Sequence, residues 1–159
     1  MANLAHAIAL AATKHMHQKD RSGKPYILHP LTVLNILVQQ GHGNDEHVLI
    51  LAVLHDLLED TNYTIDELRH NGYTEEIIED LTILNKQKGE DYEQTYIPRV
   101  GSKYRTALVK RADLITNSDI LRLKGVSEKD MQRMAKYHRS FVYINERIKE
   151  FEQCVFNKA

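Results

Sequence analysis

The chain has 159 residues, enough for one domain with a sizeable core and too few for two of ordinary size. Its composition, 42% hydrophobic and 27% charged, is ordinary for a folded globular protein, so disorder is not the expectation. With 21 basic against 22 acidic residues, the net charge of -1 excludes bulk electrostatic binding to a DNA or RNA duplex or to an anionic membrane.

The start, MANLAHAIALAATKHMHQKD, is apolar for about a dozen positions and lacks a basic leader, which predicts a helix over residues 2–18 and no signal peptide or membrane span. A single cysteine, Cys154, permits neither an intrachain disulfide nor a Cys-based zinc site, as expected of a cytoplasmic protein. The loop KDRSGKPYILH follows, punctuated by Ser-Gly and Lys-Pro. Pro30 suits the first position of a second helix, with His29 as its cap and its end near Gly41. Asp45 caps a third helix, which is expected to run through VLILAVLHDLLED.

Further on, Thr64 and Glu67 have capping-box spacing, and Ser127 and Asp130 repeat it with a shorter acid. Thr74 starts a helix through Leu81. Residues 85–104, with Gly89, Pro98 and Gly101, predict a short helix between loops. Residues 105–117 and 128–154 read as the last long helices. Helical periodicity recurs and clean alternation is missing, so the expected fold is all-α, a single helical bundle over residues 1–159.

The chemistry concentrates in LHDLLEDT, residues 54–61. An apolar run ends in His55, Asp56, Glu59 and Asp60, although burying an unpaired carboxylate costs several kcal/mol. On one continuous helix His55 would stack on Glu59, and Asp56 on Asp60. An imidazole with three carboxylates is ligand chemistry for a borderline divalent cation such as Mn²⁺, Fe²⁺ or Zn²⁺, with acids to spare for water positioning or proton transfer. Nine His and ten Asp give roughly 0.6 His-Asp pairs by chance, and adding Glu-Asp two residues later lowers that below about 0.01. The competing reading is a solvated acidic helix end, which opposes the helix dipole. Taken alone, His29 suits a cap or a satisfied core position, and Asp113, in ALVKRADLITN, suits an ion pair with Lys110. One metal would satisfy all three apolar-embedded segments together.

These residues resemble the HD-domain metal phosphohydrolases, and within them the alarmone hydrolases of Rel/SpoT type in their small stand-alone form. SGKPYILHP (residues 22–30), LHDLLEDT and VKRADLITN (residues 109–117) carry the resemblance, which runs from about residue 4 to 147. It implies that His29, His55, Asp56 and Asp113 bind one metal ion, usually Mn²⁺, beside a catalytic acid pair, Glu59 and Asp60. It further implies that Lys110 and Asn117 line a nucleotide pocket, that Ser22 sits in the loop facing the base, and that Arg133 and Tyr137 contact phosphate and pack on the nucleotide. Arg21 keeps a basic position of the family loop, whereas Asp20 stands where an Arg is expected to stack on a purine, and Ile120 replaces a Thr.

The implied activity is metal-assisted hydrolysis of the 3′-pyrophosphate of (p)ppGpp-like alarmones. No synthetase domain fits in this length, so hydrolysis without synthesis is expected. Alternatives are another nucleotide substrate, namely ppApp, NADPH or a deoxynucleoside triphosphate, or a silent nucleotide-binding module. Local positive charge would come from Lys19, Arg21 and Lys24, with Lys103, Arg105, Lys110 and Arg111, of which Arg21 and Lys110 are the ones expected to meet substrate.

Overall fold

A computed structural model describes residues 2–123 and 125–156, without the side chains of Arg122, Val155 and Phe156. Its helices are α1 (Leu4–Lys14), α2 (Leu28–Leu37), α3 (Glu46–Leu54), α4 (Leu57–Asp60), α5 (Ile65–His70), α6 (Glu75–Leu84), α7 (Ile97–Val100), α8 (Tyr104–Asn117) and α9 (Glu128–Phe156). Wider π-helical turns occupy Val38–His42 and Tyr92–Tyr96, and a 3₁₀ turn occupies Ile120–Arg122. The fold is all-α. None of the described helices is long and apolar enough to cross a membrane.

The centre is α3. Every residue from Val48 to Leu54 is at most 5% exposed, because α1, α2, α6 and α8 pack around it and leave no polar face. Burying each large apolar side chain contributes roughly 1.5–3 kcal/mol. That apolar surplus lets one end of the helix carry ionisable groups. Asp45 caps its start, accepting from Val48 N at 3.2 Å. The box at Thr64–Glu67 forms in both directions, Thr74 caps α6, and Ser127 and Asp130 exchange bonds ahead of α9.

Three expectations need correction. The first helix stops at Lys14, not at residue 18, because Gln18 is diverted: its carbonyl accepts from Tyr26 N, closing a loop that also pairs Lys19 with Pro25. The second helix begins at Leu28, so His29 lies inside its first turn and is not its cap. It continues in a π turn until Gly41, whose φ of 93° is open to glycine and strained for other residues. The third correction matters most. The helix does not run through LHDLLEDT: it stops at Leu54, turns at His55 and Asp56, and restarts as α4.

Candidate metal centre and active site

The turn gives the motif its geometry. Asp56 takes φ −96° and ψ −1°, in the bridge region of backbone space, and its carbonyl then accepts from Asp60 N at 2.8 Å. His55 and Asp56 therefore face inward from a bend, and the acid pair one turn on lies at the edge of a cleft.

Four side chains from α2, the bend and α8 converge. His29 Nε2 and His55 Nε2 are 3.2 Å apart. Asp56 Oδ2 lies 3.4 Å from the first and 3.1 Å from the second, and Asp113 Oδ1 lies 3.2 and 3.7 Å from them. His29, His55 and Asp113 alone already meet the spacing of a metal-binding group. The cluster is buried, with Asp113 only 4% exposed.

The tautomer of His55 tests whether a cation fits. Its Nδ1 lies 2.8 Å from the Ala52 carbonyl, which can only accept, so the ring proton of the neutral form sits on Nδ1. Nε2 is then a lone pair aimed at another imidazole nitrogen and at carboxylate oxygens. His29, whose Nδ1 has no hydrogen-bond partner, has one ring proton to offer His55 Nε2 and the carboxylate oxygens, and a positive charge at the common point satisfies the acceptors that this proton leaves over. Without a cation, protons take that part. Burial would push His55 down, but Asp56 and Asp113 outweigh it and hold the imidazole well above its ordinary value. His29 rises through the same balance, led by a hydrogen bond to Asp113. Burial likewise pushes Asp56 and Asp113 up, and is outweighed by His55 for the first and Lys110 for the second, so both stay low and ionised. Two imidazole nitrogens and two carboxylate oxygens suit a borderline divalent ion.

Around this point the cluster is tied down. Lys110 Nζ donates to Asp113 Oδ2 at 2.9 Å, and Asn117 Nδ2 donates to Asp113 Oδ1 at 2.5 Å. Lys110 is 8% exposed; burial alone would lower its pKa, and Asp113 keeps it well above the usual value. Its ammonium also faces the rings of Tyr96 and Tyr92 at 5.0 and 5.7 Å. The π turn brings these two rings to one wall: Tyr96 N bonds back five residues to Asp91 O at 2.9 Å.

Beside the cluster opens a cleft of about 430 Å³, the size of a nucleotide pocket. Glu59 and Asp60 line it, together with Lys19, Asp20, Arg21, Lys86, Asn117 and Tyr137. Burial, then the charge of Asp56, raises both acids, which moves them toward the range of a base working near neutral pH.

Other sequence-predicted residues fall elsewhere. Ser22 and Arg133 are not among the lining residues: the Ser22 hydroxyl donates to Asp20 at 2.8 Å, and Arg133 pairs with Asp130. Lys103 and Arg105 bind Asp80, Glu79, Asp45 and Glu76 away from the cleft, and Arg111 bonds Gln40, so these three cations do not serve it. Lys86, Tyr26, Tyr92 and Tyr96 line the cleft without having been singled out from sequence. The signal for the last two was their spacing of four, and for Tyr26 its place three residues before His29.

Comparison with known proteins identifies the family. An HD-domain family model matches residues 7–98. The chain belongs to the HD-domain family. The HD-domain match ends before Asp113, the ligand-type residue supplied by α8. Among relatives, the chain is 39% identical over 137 residues to the guanosine-3′,5′-bis(diphosphate) 3′-pyrophosphohydrolase MESH1 of Xenopus tropicalis, covering 79% of this chain and 75% of that one. It is also 39% identical to the human protein of that name, covering 73% and 68%. The Aquifex aeolicus protein named guanosine-3′,5′-bis(diphosphate) 3′-pyrophosphohydrolase is 33% identical over 70% of this chain, which spans only 16% of it. A solved structure described as a metazoan ortholog of SpoT superposes with a TM-score of 0.73 at 24% identity, covering 96% of both chains, and shares this HD-domain fold.

Proposed function

We propose that this HD-domain protein hydrolyses the 3′-pyrophosphate of (p)ppGpp-like alarmones, releasing pyrophosphate and a nucleoside di- or triphosphate. The observation that carries this reading is a two-imidazole, two-carboxylate cluster opening into a tyrosine-walled cleft of nucleotide size that also brings in Lys19, Arg21, Lys86 and Lys110. The 39% identity to proteins named for that activity supports the substrate class.

His29, His55, Asp56 and Asp113 would hold one divalent ion, and Mn²⁺ is our first choice among the ions this donor set suits. When bound, such an ion supplies Lewis acidity, making water acidic enough to attack near neutral pH and stabilising charge on the phosphoryl group. Glu59 or Asp60 takes the proton from the attacking water, whose oxygen bonds to phosphorus as the bond to the ribose 3′ oxygen breaks. That oxygen leaves with a proton as a hydroxyl. Lys110, pinned to Asp113 beneath two tyrosine rings, and Arg21, on the opposite loop, offset substrate charge. Asn117 fixes the Asp113 carboxylate, and the Tyr137 ring gives the nucleotide a packing face. Ser22 acts indirectly, by fixing Asp20, and Arg133 has reach only if its pairing with Asp130 opens. Residues 1–159 act as one HD-type unit, and a lone, exposed Cys154 suits the cytoplasm.

Another nucleotide remains the second reading, because an acid, Asp20, lines the cleft where a base-stacking Arg was expected. One experiment separates the two: incubate the Mn²⁺-loaded protein with ppGpp, ppApp, NADPH and deoxynucleoside triphosphates and weigh the products. Pyrophosphate with GDP from ppGpp is expected. Turnover of another nucleotide alone moves the assignment to that substrate, and binding of ppGpp without turnover makes the protein a silent module.

A further inference from the structure

Tyr26 belongs to none of the roles above, yet it bonds directly to a ligand-type side chain of the cluster. Its hydroxyl donates a hydrogen bond to Asp56 Oδ2. That oxygen is the one nearest both imidazoles, at 3.1 and 3.4 Å, so the phenol grips the same atom that points to the common centre. The ring stands between two histidines, with centroids 5.0 Å from His15 and 5.7 Å from His29.

Behind it lies a strut. His15, 1% exposed, places Nδ1 2.7 Å from Gln18 Oε1, and Gln18 Nε2 donates to the Asp60 carbonyl at 2.7 Å. The Gln18 carbonyl accepts from Tyr26 N at 3.0 Å. The loop before α2 is thus bonded both to the ligand-type carboxylate Asp56 and to the backbone of the catalytic pair.

We propose that Tyr26 is a positioning residue that sets the orientation and donor strength of Asp56 toward a bound divalent ion. This inference rests on the metal-hydrolase reading above. A carboxylate turns about its last side-chain bond, and only one of its oxygens has to face the cluster. A phenol donating to Oδ2 stops that rotation. It also withdraws electron density from Oδ2, leaving a held cation the stronger Lewis acid. Partners of this kind, hydrogen-bonded to metal-binding side chains, typically change metal affinity or activity by about 10–100-fold when removed.

The test uses Tyr26→Phe, which removes the hydroxyl and keeps the ring between its histidines. Wild type and variant are stripped of metal, checked for equal helical content, and titrated with Co²⁺. The readouts are the visible absorption of the bound cobalt and its dissociation constant, neither of which involves substrate. Affinity is expected to fall about tenfold with a shifted cobalt band. With Mn²⁺, kcat should fall more than KM rises. Glu59→Gln, which borders the cluster without holding the ion, should leave both cobalt readouts at wild-type values. An unchanged band and affinity in Tyr26→Phe, or an equal shift in Glu59→Gln, overturns the assignment of Tyr26 alone. Failure of the wild type to take up cobalt overturns it together with the metal-hydrolase reading.

Discussion

The two ends of α3 each carry a histidine beside a buried aspartate, and they resolve the charge differently. At the start, His47 Nε2 lies 2.9 Å from Asp80 Oδ2, and Lys103 reaches the other oxygen of the same carboxylate at 3.0 Å. Arg105 adds contacts to Asp45 and Glu76. One buried acid thus meets two basic groups, each within 3.0 Å. At the far end, two imidazole nitrogens face each other and share two carboxylates, while a single ammonium, Lys110, reaches only Asp113. Tyr26 and Asn117 supply hydrogen bonds there but no charge. Like residue types therefore make a clasp where the chain provides its own cations and a candidate binding site where it does not. Burial alone does not mark a functional histidine; an unbalanced, convergent set of lone pairs does.

Removing Asp113 should break the far cluster most completely. Asp113→Ala takes a predicted metal-binding oxygen and also strands Lys110, which is buried at 8% exposure. An unpaired buried charge costs about 3–5 kcal/mol. Denaturant titration of the metal-free protein should register that loss, elemental analysis should find metal at background, and hydrolysis should be undetectable. His55→Ala and Asp56→Ala should lose metal as well, with a smaller loss of stability because neither strands a lysine. Metal retained in any of the three would make the far cluster a second clasp.

The acid pair offers a sharper cut, because it borders the cluster without belonging to it. Glu59 accepts from Lys86 N at 3.3 Å, a bond that the carbonyl oxygen of a glutamine can keep. Glu59→Gln should hold its metal and lose turnover by about 10²–10⁴-fold, the usual worth of a general base. Metal content and kcat measured on one preparation separate the roles. Near-normal turnover would leave proton transfer to Asp60.

How much of this was written in the chain can be judged residue by residue. The helical course was legible because caps and apolar periodicity are local: Asp45, Thr64, Thr74 and Ser127 all start helices as their types demand. His29, His55, Asp56 and Asp113 were legible as oddities, polar groups set in apolar runs. The bend at His55 was not, because nothing in the periodicity of LHDLLEDT distinguishes a helix that stops and restarts from one that continues. Cations were the least legible. Lys103, Arg105 and Arg111 look like Lys110 in sequence, and only long-range packing sends three to acids and amides away from the cleft and one beneath Tyr92 and Tyr96. Tyr26 was hidden for the same reason, since its partner lies 30 residues away.

The smallest expected effect comes from the near end of α3. Asp80→Asn should cost about 1–2 kcal/mol, less than Asp113→Ala, because the Lys103 side chain is 36% exposed and can turn to water. Its pH dependence has a definite sign. Burial pushes the Asp80 carboxyl up, but His47 and Lys103 outweigh it and hold it below its usual value. The folded pKa thus lies under the unfolded value of about 3.9, so the stabilisation is complete above that pH. It is lost as pH falls through the folded pKa. Denaturation midpoints of wild type and Asp80→Asn should stay apart above about pH 4 and draw together as pH falls below it. Metal content should be equal at every pH where both are folded. A gap that does not narrow as pH falls below about 4 would mean that the carboxylate charge is not what the clasp uses, and metal lost from Asp80→Asn would mean that the two ends of α3 act as one site.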